Sequence, residues 1–223
     1  MARLTASDMV DIVRDSLGGE TSETLSDARI LRYINQSYLE LCSSYGFDQL
    51  QKSDTFTTTS GTVDYELSFD DIIEIHALID ETNKFTLWTM NEFEYNEYTQ
   101  GNAQSGSPSH WLIHGVGDND RWKIRLWPTP NGTYTVRVHY AMKPTELVQS
   151  PTATSPIIPE QWDDSIIYRA VARGWAMLGD DEKATSWRRM ARSTDQAAYQ
   201  TTYHPSRIKT RIGSRVGSAL RDV

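Results

Sequence analysis

"RWKIRLWPTPNGTYTVRVHYAM", residues 121–142, decides what kind of fold the chain can have. Trp122, Ile124 and Leu126 alternate with Lys123, Arg125 and Trp127. After the turn "PTPNG", Tyr134, Val136, Val138 and Tyr140 alternate with Thr135, Arg137 and His139. A period of two with one polar face predicts antiparallel strands whose outer side meets solvent or a partner. "HWLIH" (110–114) precedes them as another strand, joined by the turn "GVGDND".

The same character extends back to residue 51. "TFTTTSGTVDYELS" is β-branched and broken at Ser60-Gly61, which predicts a hairpin. "IIEIHALI" (72–79) reads as a strand, "FTLW" as a short return strand, and "NEFEYNEY" (91–98) as a short helix. Outside this region the period changes to that of helices. Thr5 and Asp8 form a capping box, followed by Met9, Ile12, Val13 and Leu17 and stopped at Gly18-Gly19. Ser26 or Asp27 caps a second helix with Ile30, Ile34, Tyr38, Leu41 and Tyr45 on its apolar face. "KPTELVQSPTATSPIIPEQ" carries four prolines and reads as a linker. A third helix follows, with Trp162, Ile166, Ile167, Ala170, Val171, Trp175 and Leu178 as apolar positions and Gly179 as its stop. The fourth, in "DDEKATSWRRMARSTDQAAYQTTY", has acids first and bases later, as the helix dipole favours.

The expected architecture is therefore α+β. A four-helix bundle is built from residues 1–50 and 156–203, an antiparallel β-rich insertion spans 51–145, a linker covers 146–155, and an extended basic arm covers 204–223. Lys+Arg number 22 and Asp+Glu 30. The arm alone holds Arg207, Lys209, Arg211, Arg215 and Arg221 against Asp222, so the remaining body has 17 bases and 29 acids. Such a body is unsuited to gripping nucleic acid, which needs clustered Lys and Arg. The single cysteine, Cys42, excludes an intrachain disulfide and a cysteine-cluster zinc site; its place in an apolar helical pattern makes it a structural thiol. The N-terminal stretch has neither a signal-peptide core nor a membrane span, so synthesis in a cytosol and no membrane partner are expected.

Catalytic and metal chemistry find no footing, and no cofactor is expected. The acid pairs Asp163-Asp164 and Asp180-Asp181 fall in the first turns of predicted helices, where carboxylates stabilise the end in any case. Asp70-Asp71 is a third such pair. His110 and His114 lie four apart on a strand, too far along it to share a metal. No nucleophile, phosphate-loop, zinc-protease or kinase signature is present. Trp88, Trp111, Trp122 and Trp127 offer one alternative, a row of rings that stacks on sugars; packing in the core is the competing use of the same rings.

"LSDARILRYINQSYLELCSSYGF" (25–47) and "IPEQWDDSIIYRAVARGWAMLGDDEKATSWRRMA" (158–191) resemble the head–tail adaptor (connector) proteins of tailed bacteriophages. The likeness lies in two capped amphipathic patterns, Leu25–Leu41 and Ile158–Ala184. The resemblance implies a virion structural protein at the neck. It implies a twelvefold ring, with the portal protein above, a tail or nozzle protein below, and genomic DNA passing through without specific binding. An acidic lumen would repel that DNA. In the arm, Arg207, Lys209 and Arg211 alternate with Ile208, Thr210 and Ile212, a strand pattern, while the spacing of Ile208, Ile212, Val216 and Leu220 also permits a helix. Its few apolar residues cannot offset the entropy of ordering it alone. Arg207, Ile208, Lys209, Arg211, Ile212 and Arg215 are thus the candidate docking residues toward the portal and neighbouring copies.

Overall fold

The computed structural model describes residues 3–18, 25–69, 71–100, 104–117, 121–149 and 152–202. Over these residues the chain is a mixed α+β protein with five α-helices and a curled seven-stranded sheet. It divides into two compact units, one from residues up to Tyr45 and from Pro144 onward, the other from Gly46–Lys143.

The helical unit contains α1 (Ala6–Ser16), α2 (Asp27–Ser44), α4 (Asp163–Met177) and α5 (Asp181–Thr202). At the start of α1 the Thr5 and Asp8 side chains each accept a hydrogen bond from the other's backbone N–H, so the capping box is present. Ala6, Met9, Val10, Val13 and Leu17 form the buried stripe of α1. Ile12, expected inside, is 37% exposed, because that stripe leaves it on the opposite side of the helix. In α2, Ile30, Ile34, Tyr38, Leu41 and Cys42 are buried as the spacing predicts. α4 is the hub, in contact with α1, α2 and α5. At Gly174 any Cβ would come within 2.7 Å of a Leu17 methyl carbon, so the glycine lets α4 lie against the end of α1. α5 turns three alanines, Ala184, Ala191 and Ala198, inward; such small side chains allow a close approach to α4.

The other unit is one sheet of strands β1 (Gln51–Thr57), β2 (Asp64–Glu66), β3 (Ile72–Asp80), β4 (Phe85–Thr89), β6 (His110–Val116), β7 (Trp122–Trp127) and β9 (Thr135–Met142). Their order is β1-β9-β3-β4-β6-β7-β2. Its core includes Leu67, Leu78, Trp111, Ile124, Leu126, Val136 and Val138, the inward residues of the alternating runs. Two expectations need correction. The sheet is not wholly antiparallel: β4 pairs with β6 in parallel. The segment between them, carrying α3 (Glu92–Thr99), is long enough to bring the chain back in the same direction. The short pair β5 (Ser105–Gly106) and β8 (Thr129–Pro130) is parallel too. Nor do the strands flanking Ser60-Gly61 form a hairpin. β1 pairs with β9 and β2 with β7, at opposite edges of the sheet.

The short connection 58–63 draws those two edges together and curls the sheet. Phe56 and Tyr65 face each other across the join with ring centroids 5.3 Å apart. The Tyr65 hydroxyl donates to the Thr62 carbonyl at 2.8 Å and accepts from the Thr59 N–H at 3.1 Å. Gly61, at φ +82°, makes the turn. α3 buries none of its residues. It is held to β6 and β7 by Glu92 on His114 at 3.1 Å, by Tyr95 under the Arg125 guanidinium, and by Tyr98 tilted against Trp127 with centroids 4.8 Å apart.

Candidate assembly interface

The docking residues expected from the sequence, Arg207, Ile208, Lys209, Arg211, Ile212 and Arg215, lie outside the described residues. What is described is the root from which they extend. Thr202 ends α5, and its hydroxyl accepts hydrogen bonds from Trp162 Nε1 at 3.0 Å and Gln161 Nε2 at 3.2 Å. Trp162 is fully buried and packs on Tyr45 with centroids 4.6 Å apart. The last turn of α5 is thereby fastened to the start of α4.

The segment expected as a linker is fastened as firmly. Asn35 holds the backbone of Leu147 from both sides, donating to its carbonyl at 3.0 Å and accepting from its N–H at 2.7 Å. The Thr154 carbonyl accepts from the Ala6 N–H at 2.7 Å, and the Tyr38 hydroxyl accepts from the Ile157 N–H at 2.9 Å. Arg3 then reaches the Ile158 carbonyl and lies 3.7 Å from Asp163. Residues 147–149 and 152–158 are therefore strapped to α1 and α2.

Charge crosses the helical unit in one chain of contacts. Glu40 of α2 accepts from Arg169 and, at 2.8 Å, from Arg173 of α4. Arg169 also donates to Asp195 of α5 at 2.5 Å, and the Ser165 hydroxyl donates to the same carboxylate. Asp163 is 4% exposed; burial raises its carboxyl to about 6, with the Arg3 guanidinium opposing the rise. Burial likewise pushes the Cys42 thiol up to about 12, which leaves it protonated and inert at neutral pH.

The outer face of α5 is what the sequence reading passed over. Arg188, Arg189 and Arg192 are all exposed, and none forms an ion pair among the described residues. Read along the chain, they suit the helix dipole. Their shared face becomes visible only once the alanine stripe fixes which side of α5 is buried. The outer side of α1 presents Asp8, Asp11 and Asp15, also exposed.

The remaining candidates fall apart in space. Asp164, Asp180 and Asp181 sit at helix starts, as does Asp163, and Asp180 pairs with Lys183 at 3.0 Å. His110 packs beside Trp127, while His114 is engaged by Glu92 and Arg125. Among the described residues no group of three His, Cys, Asp or Glu side chains is gathered as a metal site would need. Of the four tryptophans proposed as a stacking row, Trp88 is 72% exposed but Trp111 is buried, with Trp122 and Trp127 half-buried. No helix among the described residues is long and apolar enough to cross a membrane.

No curated protein matches the sequence. A family model does, over residues 4–211, which takes in both helical ends, the sheet between them and the beginning of the basic arm. The chain belongs to the SU10 adaptor protein family, a family of phage head–tail adaptors.

Proposed function

We propose that this adaptor assembles as a ring of twelve copies beneath the portal, joins the capsid to a tail or nozzle protein, and lets genomic DNA pass without binding it specifically. The family match from residue 4 to residue 211 carries the reading. In it, the four terminal helices act as one bundle that forms the ring body, and the β-rich unit reaches a neighbouring protein of the neck. Arg207, Ile208, Lys209, Arg211, Ile212 and Arg215 fasten the body to the portal and to adjacent copies, by strand pairing and by charge.

The root of that arm supports the reading, because Thr202 is tied to Trp162 and Gln161 and so gives the arm a fixed point of departure. Mixing the full chain with portal rings and imaging the product tests it; a second ring stacked on the portal is the expected result. Deleting Ser206–Val223 should leave a folded protein that no longer stays on the portal. Stable attachment of the truncated protein would remove the arm from the proposal, and failure of the full chain to bind any portal would remove the ring.

A further inference from the structure

Two helix faces on the helical unit carry opposite charge. On α1 the buried stripe leaves Asp8, Asp11 and Asp15 together on the outer side, at i, i+3 and i+7, spanning about 10 Å. Asp11 is 3.5 Å from Arg14, Asp8 is engaged only by Thr5, and Asp15 forms no ion pair among the described residues. Ile12, 37% exposed, borders this stripe. On α5, Arg188 and Arg192 stand one turn apart with Arg189 beside them, and Tyr199, 37% exposed, continues the same side. α4 touches both α1 and α5.

The asymmetry extends along the whole chain. Residues up to 182 contain 13 Lys+Arg and 28 Asp+Glu, whereas residues from 183 onward contain 9 and 2. We infer that the Arg188–Arg192 face of α5 docks on the Asp8–Asp15 face of α1 in a second copy of this chain, head to tail. This rests on the ring reading above and names the surfaces the ring would use. A head-to-tail contact leaves one face of each kind free at the two ends, so it repeats, and it makes a ring when the rotation between copies closes. Pairing α5 with α5 would set arginine against arginine. Three arginines on a protein of net charge −8 make a poor site for a nucleic-acid duplex, whose binding scales with the number of phosphates neutralised. Facing charge stripes steer the encounter and fix its register, and Ile12 and Tyr199 add apolar contact.

The test uses the full-length chain in sedimentation velocity, at about 50 mM and about 500 mM salt. The unaltered protein should self-associate at the lower salt and weaken at the higher. Arg188→Glu/Arg189→Glu/Arg192→Glu and, separately, Asp11→Lys/Asp15→Lys should each weaken association at least about tenfold. An equimolar mixture of the two should recover it, because each then offers the other a complementary pair of faces. Circular dichroism checks that both are folded. If the lysine pair unfolds α1, Asp11→Asn/Asp15→Asn with the same loss of association answers the question.

Unchanged association of both variants overturns the inference. So does a folded mixture that stays apart, or a wild-type chain that stays monomeric while its arginines retain a DNA duplex. If the variants still associate and the wild type still docks on the portal, only the choice of faces fails. If the wild type neither associates nor docks, the ring reading fails with it.

Discussion

Arg169 shows how much of the helical unit hangs on one side chain. Its guanidinium is 18% exposed and touches Glu40 of α2 and Asp195 of α5, whose own side chain is 5% exposed. Arg169→Met should cost about 3–5 kcal/mol, because it leaves a buried carboxylate without its counter-charge. Arg169→Met/Asp195→Leu should recover most of that loss, and urea denaturation measures both. Asp163 gives a dependence on pH with a definite sign. Its carboxyl is raised from 3.8 to about 6, so the folded state disfavours the charged form. The penalty is full above pH 6 and is relieved as the pH falls toward the unfolded value. The melting temperature should therefore rise between about pH 8 and about pH 5, by the equivalent of about 1.4 kcal/mol, and Asp163→Asn should flatten that slope. The sequence places Asp163 at a helix start, which is correct. It does not reveal the burial, since the residues that enclose and oppose that carboxyl include Arg3, at the far end of the chain.

At the scale of elements, apolar periodicity located α1, α2, α4 and the strands β6, β7 and β9, because each has one face that must leave water. Pairing was harder to read. Ser60-Gly61 signals a reversal, and a reversal looks the same whether the strands on either side pair with each other or with strands at opposite edges of a sheet. The parallel β4–β6 pair was hidden for a related reason: alternation fixes which face a residue takes but not the direction of its neighbour. α5 was legible as a helix, yet its buried side is mostly alanine, so its contact with α4 carries little hydrophobic signal. The join between β1 and β2 is a point of local weakness. Tyr65→Phe removes both hydroxyl contacts to the 59–62 turn and should cost about 1–2 kcal/mol. Hydrogen exchange should show the loss concentrated in β1, β2 and the turn, with the helices unaffected.

For the whole molecule, the separation of charge between the two parts of the chain was already plain in the sequence, but the surfaces bearing it were not. A stripe of like charges exists only relative to a buried stripe, and that requires the packing of α1 and α5 on α4. The β-rich unit has its own lesson in the pairing of Gln51 with Ala141. The chain enters this unit on β1 and leaves it on β9, and those strands are neighbours about 5 Å apart. Replacing residues 46–143 with a short glycine–serine bridge should therefore leave a soluble helical protein that melts cooperatively, as circular dichroism would report; a molten product would show that the helices depend on the insert. An insert whose two ends meet can be exchanged between lineages like a cassette. Recombination can then replace the β-rich unit of one adaptor with that of another, while the helices keep their ancestry.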